Sequence, residues 1–168
     1  MEQNVKEKNF VSAVIYIRSG EEDTDKNIEN LLKVMKEHFE HYEIIFVNDA
    51  SSDGCVDKIK KIFAKEENNG IAVRIINMSY YYGREIAMSA GVDMAIGDYV
   101  FEFDRISSIG DDIIMKAYYK CIQGTDIVSV TPKKVAGFIT KLYYKIYNSS
   151  SNIKENFLKR ELFCVVSR

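Results

Sequence analysis

Residues 42–54 read YEIIFVNDASSDG, and this stretch decides the class of fold. Its first half is a short apolar, β-branched run, which predicts a buried strand. Its second half is polar and rich in turn-forming residues. A helix-like stripe follows, with apolar residues at Val56, Ile59, Ile62 and Phe63. A buried strand that turns directly into a helix is the building unit of α/β domains.

The same alternation of strand-like and helix-like segments continues on both sides of this stretch. We expect strands at residues 10–17, 43–47, 71–76, 99–103, 126–130 and 161–166. We expect further helices after a cap at Thr24 or Asp25, over 83–96, over 113–121 and over 133–147, the last of which is basic and amphipathic. Strands that alternate with helices predict βαβ units. The fold class is therefore α/β, a mostly parallel sheet sandwiched between helices.

The length and the composition indicate one globular domain. The chain has 168 residues, of which 46% are hydrophobic and 29% are charged. It stops two residues after the last predicted strand, so we expect a single domain over residues 1–168 that is a fragment lacking a C-terminal region. The net charge of −2 excludes a large positive field for nucleic acid. No apolar run reaches the ~20 residues that span a bilayer, and residues 1–9 are too polar for a signal peptide.

The cysteines and histidines form no disulfide or metal motif in the sequence. Cys55, Cys121 and Cys164 are widely spaced and odd in number, which is typical of reduced thiols in a cytoplasmic protein. His38 and His41 stand three residues apart, a spacing that suits a metal, but no third ligand is evident nearby. We therefore interpret them as the solvated end of a helix.

Two segments that follow predicted strands carry polar groups, at the positions where open α/β sheets bind ligands. After the second strand, Asp49 suits a hydrogen bond to a base or a ribose, whereas Ser52 or Asp53 equally suits the N-cap of the next helix. After the fourth strand, Asp104 suits a metal ligand or an ordinary salt bridge with Arg105. From spacing alone, both interpretations of each segment stay open.

The turn after the first strand argues against several large enzyme classes. Residues 18–22 lack both the glycine-rich dinucleotide fingerprint and the P-loop pattern. The chain also lacks nucleophile-elbow and zincin motifs. Dehydrogenases, P-loop NTPases, serine hydrolases and zincins are therefore disfavoured.

Taken in series, these segments resemble the family 2 glycosyltransferases, closest to their polyprenol-phosphate (dolichol-phosphate mannose synthase-like) branch. Residues 42–54 are similar to the family's Y-E-I-I-F-V-D-D-G-S-S-D-G, and residues 79–85 to S-R-N-F-G-K-E. Residues 90–100 are similar to A-G-L-D-x-A-x-G-D-Y-V, and residues 163–168 to F-R-L-[LM]-[SD]-R. Residues 12–15 resemble the first strand, so the match covers nearly the whole chain. The resemblance implies the GT-A fold, a Rossmann-like nucleotide-diphospho-sugar transferase fold.

The resemblance also implies a reaction and a set of site residues. The reaction would be the inverting transfer of a sugar from a UDP- or GDP-linked donor to a lipid-phosphate or glycan acceptor, in bacterial cell-surface polysaccharide or glycolipid synthesis. Asp104 would be the first carboxylate of a D-x-D motif that holds a divalent ion, Mg²⁺ or Mn²⁺. The enzyme would be cytoplasmic or lie peripherally at the inner face of the cell membrane, and it would be able to form homo-oligomers. The residues implied to bind the nucleotide are Asn48, Asp49, Ser51, Asp53 and Arg84.

Three motifs depart from the family pattern. The family's P-x-Y-N-E after the first strand is here residues 16–20, YIRSG, without its Tyr and Asn. The D-x-D motif reads Asp104-Arg105-Ile106, so its second carboxylate is missing. The catalytic Asp aligns with Leu162, whose side chain cannot take a proton from an acceptor hydroxyl.

These departures leave three hypotheses open. In an active but divergent enzyme, Arg105 would supply positive charge, Glu161 would act as the base, and Asp111 or Asp112 would complete a metal site. In a catalytically degenerate domain, the chain would bind a nucleotide or a partner, with the aromatic residues 80–82 as contact surface. In the third hypothesis the chain is an unrelated α/β binding domain.

Overall fold

The computed structural model describes residues 5–19, 24–64, 71–105, 109–131 and 162–168, and strands and helices alternate along the chain. The elements are β1 (Val11–Ile17), α1 (Thr24–His38), β2 (Tyr42–Asn48), α2 (Cys55–Ala64), β3 (Ala72–Asn77), α3 (Arg84–Met94), β4 (Tyr99–Phe103), α4 (Asp111–Ile122), β5 (Ile127–Val130) and β6 (Phe163–Ser167). Every strand that the sequence predicted is confirmed, and so are four of the five helices. The helix predicted over 133–147 and the residue Glu161 lie outside the described residues.

The six strands form one sheet in the order β3-β2-β1-β4-β6-β5. β1 pairs in parallel with both β2 and β4, and β2 pairs in parallel with β3. β6 is antiparallel to both of its neighbours, β4 and β5. The predicted mostly parallel sheet is confirmed, and β6 is the strand that departs from it.

Both faces of the sheet are covered by helices, which explains why β1 is buried along its whole length. Ala13, Ile15 and Ile17 belong to the larger core cluster, to which α1, α2 and α4 contribute. Val14 and Tyr16 belong to a second cluster on the other face, to which α3 contributes. Among the described residues, α3 is therefore the helix that packs against the second face.

The helix α3 lies close to the sheet because a glycine faces it. A β-carbon built at Gly91 would meet Val47 Cγ2 at 2.7 Å and would also run into Val14 Cγ1. The absence of a side chain at Gly91 therefore sets the distance of α3 from β1 and β2.

The connection from α3 to β4 is fastened to the sheet by a buried carboxylate. Glu43 is fully buried, and its Oε1 accepts hydrogen bonds from the Ser12 hydroxyl at 2.6 Å and the Ile96 N–H at 2.8 Å. Arg74 Nη1 lies 3.0 Å from Glu43 Oε2 and donates to the Met94 carbonyl at 3.0 Å. These contacts compensate for the burial of the charge and hold the end of α3 against β1 and β2.

The three cysteines are free thiols, as the sequence predicted. Cys55 and Cys121 are buried, and burial is the main cause that raises the pKa of each thiol. Both therefore behave as packed core residues with little thiolate character.

We expect the substitution Gly91→Ala to destabilise the protein by about 1–3 kcal/mol, because the added methyl group overpacks the contact between α3 and the sheet. Alanine ordinarily stabilises a helix interior by roughly 0.5–1 kcal/mol relative to glycine, so the expected sign is opposite to that of helix propensity. Urea unfolding measures the change. Ser89→Ala, at an exposed position of the same helix, is the matched control and should change stability by less than about 0.5 kcal/mol. An equally stable or more stable Gly91→Ala protein would contradict the close packing.

Candidate functional site

Polar segments gather at one edge of the sheet, where the parallel strands have their carboxyl ends. β1, β2 and β4 run parallel and in register, so the residues that follow them, 18–19, 48–54 and 104–105, lie at the same edge. The segment 78–83 joins them, because the Met78 N–H donates to the Asn48 carbonyl at 2.9 Å. This edge is the place where α/β sheets bind ligands and where the sequence predicted the site.

Asp49 is the buried anchor of this edge, with an exposed fraction of 1%. The Tyr16 hydroxyl donates to Asp49 Oδ2 at 3.0 Å. The backbone N–H groups of Tyr82 and Gly83 donate to Oδ1 and Oδ2, both at 2.9 Å. A buried carboxylate needs such donors to compensate for its lost hydration. Asp49 therefore fastens the 80–83 segment to the end of β2, a role that the sequence analysis missed.

Three other predicted nucleotide-binding residues build the turn after β2. The Asn48 side-chain amide donates to Asn77 Oδ1 at 2.9 Å. Both the N–H group and the hydroxyl of Ser51 donate to Asn48 Oδ1, the N–H at 3.0 Å. Asp53 Oδ1 accepts from the Cys55 N–H at 3.2 Å, at the start of α2. Asp53 thus makes the capping contact that was one of its two interpretations, and contact of these residues with a nucleotide stays a prediction.

Asp104 forms an ion pair with Arg84, the first residue of α3. Arg84 Nε lies 2.5 Å from Asp104 Oδ1, and Arg84 Nη1 lies 2.7 Å from Glu85 Oε1. Burial by itself lowers the pKa of the Arg84 guanidinium, but the charges of Asp104 and Glu85 outweigh burial and raise that pKa above its ordinary value. The predicted alternatives for Asp104 were a metal or a salt bridge with Arg105. The structure shows a salt bridge with a different arginine, while Arg105 is exposed.

The residues that replace the family's Tyr and Asn after β1 also face this edge. The Arg18 guanidinium carbon lies 3.9 Å from the centroid of the Tyr81 ring, which is a cation–π contact. The Ser52 N–H donates to Ser19 Oγ at 3.2 Å. Tyr80, Tyr81 and Tyr82 are all exposed, as an aromatic contact surface requires.

The antiparallel strand β6 brings Leu162 next to Asp104. Phe163 pairs with Phe103 in the antiparallel register of β4 and β6. Leu162, just before β6, therefore falls beside Asp104, just after β4. The Leu162 N–H donates to the Val130 carbonyl at 2.8 Å, and its side chain packs against the core. Leu162, which aligns with the family's catalytic Asp, is therefore part of the same edge.

The two acids at the start of α4 make contacts elsewhere. Asp112 Oδ2 lies 3.2 Å from Lys116 Nζ, and Asp111 belongs to a group with Glu37 and His38. Neither of these contacts includes Asp104. They therefore lend no support to the hypothesis that Asp111 or Asp112 completes a metal site with Asp104.

Glu37, His38 and Asp111 form a group whose potential metal-ligand atoms lie within 4.8 Å of one another. Asp111 comes from a distant part of the sequence, which is why no third ligand was evident there. His41 instead lies 3.9 Å from Glu40. Glu37 and Asp111 are exposed, as acidic side chains commonly are without an ion.

The fold and the matched sequence both identify the class of protein. The model of glycosyl transferase family 2 matches residues 12–161, so the chain belongs to this family. A solved structure with the same fold is glucosyl-3-phosphoglycerate synthase from Mycobacterium tuberculosis, in complex with Mn²⁺, UDP-glucose and phosphoglyceric acid. It superposes with a TM-score of 0.71 at 12% identity and covers 95% of this chain and 57% of that one. The predicted GT-A fold is confirmed.

The chain is similar in sequence to part of two longer transferases. An uncharacterized glycosyltransferase from Synechocystis is 30% identical over 150 residues, which cover 86% of this chain and 46% of that protein. The undecaprenyl-phosphate 4-deoxy-4-formamido-L-arabinose transferase of Proteus mirabilis is 32% identical over 120 residues, which cover 71% of this chain and 36% of that protein. The chain thus spans less than half the length of these relatives. None of the described helices is long and apolar enough to cross a membrane.

We expect Asp49→Ala to destabilise the protein by about 2–3 kcal/mol, because two partly buried N–H groups and the Tyr16 hydroxyl lose a charged acceptor. Hydrogen–deuterium exchange should show faster exchange at the amides of Tyr82 and Gly83. Asp53→Ala is the matched control, because it removes the capping contact at the start of α2, leaves both amides bound to Asp49 and should cost about 1 kcal/mol. Unchanged protection of both amides in Asp49→Ala would refute the anchoring role.

We expect the Tyr16 hydroxyl to stay protonated well above the usual range of tyrosine, because burial and then the hydrogen bond to Asp49 raise its pKa to about 12. A raised pKa in the folded state stabilises the protein fully below the ordinary value of 10.0, and this contribution is lost as the pH rises towards about 12. The ¹³Cζ resonance of Tyr16, assigned by its absence in Tyr16→Phe, should still be that of a neutral phenol at about pH 11. A midpoint near the ordinary value would contradict the buried hydrogen bond.

Proposed function

We propose that this chain is the donor-binding part of a glycosyltransferase that moves a sugar from a nucleoside-diphosphate sugar to a lipid-phosphate or glycan acceptor. The observation that carries the proposal is the convergence of the turn 48–54, the segment 78–83 and Asp104 at one edge of the sheet. Membership of family 2 supports sugar transfer, and the relative named for undecaprenyl phosphate supports a polyprenol-phosphate acceptor. Cell-surface polysaccharide or glycolipid synthesis is the process that we expect.

In this proposal the nucleoside of a UDP- or GDP-linked donor lies against the turn 48–54 and the diphosphate faces Arg84. Asn48, Ser51 and Asp53 hold the shape of the turn through their own hydrogen bonds. The carboxylate of Asp49 already accepts three hydrogen bonds, which leaves about one lone-pair direction for a ligand. The main role of Asp49 is therefore to position the turn 48–54 and the segment 78–83, which would line the donor site.

The residues around Asp104 do not fit the divalent ion that the resemblance implied. Asp104 Oδ1 is already bound by a guanidinium at 2.5 Å. Ile106 stands where the D-x-D motif has its second carboxylate, and its side chain has no oxygen ligand. The neighbour from Mycobacterium tuberculosis was solved with Mn²⁺, whereas the strand end of β4 in this chain offers Asp104 beside a guanidinium.

The acceptor that best suits the site is a phosphate. A phosphate monoester has its second pKa near 6, so its oxygen is ionised at neutral pH and needs no general base. This oxygen would attack the anomeric carbon, the bond from that carbon to the donor diphosphate would break, and the diphosphate would leave with the electron pair, which inverts the sugar. Leu162 at the position of the catalytic acid is compatible with such an acceptor. A hydroxyl acceptor would need a base, for which Glu161 is the candidate.

A lipid phosphate is part of a membrane, so we expect the reaction at the inner face of the cell membrane. The donor would come from the cytoplasm, where nucleotide sugars are available. The basic helix predicted over 133–147 suits peripheral contact with anionic lipid.

The second candidate is a catalytically degenerate GT-A domain that binds a nucleotide or a partner. Two observations favour it, the leucine at position 162 and the neutralisation of Asp104 by Arg84. The exposed side chains of residues 80–82 would then serve as aromatic contact surface.

Calorimetric titration of UDP and GDP, followed by incubation with radiolabelled UDP- and GDP-sugars and undecaprenyl phosphate, separates the two candidates. We expect one nucleotide to bind with a Kd of about 10–500 μM and a labelled lipid product to form. Binding without any product would favour the degenerate domain.

Amide chemical shifts recorded during the titration locate the nucleotide. Shifts should concentrate in residues 48–54 and 80–84, and the exposed variant Lys33→Ala on α1 should bind unchanged. If neither nucleotide binds at millimolar concentration while circular dichroism shows a folded protein, the proposed function is wrong.

A further inference from the structure

We propose that Arg84 takes the place of a divalent metal ion at this site, so that donor binding depends on its guanidinium and is independent of divalent metal. The proposal rests on the proposed function, because it concerns the diphosphate of the same donor. It differs from the sequence-based hypothesis, in which Arg105 supplied the substitute charge.

The cation of Arg84 lies against the carboxylate of Asp104. Arg84 Nε lies 2.5 Å from Asp104 Oδ1, the one carboxylate that the D-x-D position retains. The Arg84 side chain is 33% exposed and that of Asp104 is 23% exposed, so the pair is half-buried and still open towards solvent. An ion that bound Asp104 would come within a few ångströms of the guanidinium, and the two positive charges would repel each other in a partly desolvated place.

The guanidinium of Arg84 can donate hydrogen bonds to a phosphate ligand. Arginine presents five N–H donors in a planar fork that matches the oxygens of a phosphate. The contacts to Asp104 and Glu85 use Nε and Nη1, which orient the plane and leave a face of the side chain accessible. Because the pKa of Arg84 lies above its ordinary value, the group is cationic at every pH at which the protein is handled.

The position of Arg84 is fixed by the buried Asp49 and by Asp104. The N–H groups of Tyr82 and Gly83 are bound to the buried Asp49, so the chain enters α3 at a defined point of the sheet edge. Arg84 is the next residue, and Asp104 at the end of β4 receives its side chain. Asp104 is therefore a positioning residue, which holds the cation in the orientation that meets the diphosphate.

The consequence for the reaction is a change in what stabilises the leaving group. When the bond between the anomeric carbon and the diphosphate oxygen breaks, the electron pair stays on the diphosphate. The growing negative charge is then met by the fixed guanidinium of Arg84.

The test is calorimetric titration of UDP and GDP into the full chain, once with EDTA and once with excess Mn²⁺. We expect the Kd of the nucleotide that binds to agree within about twofold in the two conditions. Arg84→Ala should weaken binding by about 10- to 100-fold, the loss of a charge-assisted contact, and Arg84→Lys should recover part of it. Arg105→Ala is the matched control and should change the Kd by less than about threefold.

Asp104→Asn separates positioning from metal binding. We expect it to weaken binding equally with EDTA and with Mn²⁺, whereas a metal ligand would lose only the metal-dependent part. Thermal unfolding of each variant shows that the fold is retained. Binding that tightens tenfold or more with Mn²⁺, or a larger loss in Arg105→Ala than in Arg84→Ala, overturns the inference while the proposed function stands. No binding of either nucleotide in either condition overturns both.

Discussion

The buried carboxylate of Asp49 constrains the whole carboxyl edge of the sheet. The residue is 1% exposed. Its burial is tolerable because the Tyr16 hydroxyl and the N–H groups of Tyr82 and Gly83 all donate hydrogen bonds to its carboxylate. These donors come from β1 and from the segment before α3, so one side chain joins three parts of the chain. The entry into α3 is thereby fixed, and with it the position of Arg84 relative to Asp104.

A second buried carboxylate does the same work at the other end of α3. Glu43 binds Ser12, Arg74 and the Ile96 N–H, so the exit of α3 is held against the amino ends of the strands. Between these two ends, Gly91 lets the helix lie directly on the valines of β1 and β2. The helix is therefore fastened at both termini and closely packed in the middle, which suits an element that carries a charged group of the site.

This arrangement explains how a family 2 domain can depart from the family's motifs and keep a coherent site. Asp104 lacks the second carboxylate of the motif in the sequence and forms an ion pair with Arg84 in the structure. Leu162 replaces the family's catalytic Asp at the neighbouring register position, and the ionised phosphate acceptor that we propose would not need that base. Both departures suit the chemistry that we propose, in which fixed arginine charge and an anionic nucleophile would replace metal and base.

The sequence by itself determined the type and order of the elements, because apolar periodicity and turn residues are local properties. It also indicated the sheet edge at which the polar segments gather and, through motifs in series, the family and the GT-A fold. Only the tertiary structure decided which polar groups meet. Asp49 accepts hydrogen bonds from residues more than 30 positions away. Arg84 forms an ion pair with Asp104, and Arg74 forms one with Glu43. The antiparallel insertion of β6 between β4 and β5 was decided there as well. A local pattern records whether a residue lies in a strand or a helix, whereas an ion pair depends on strand order and register, which are set by packing across the whole sheet.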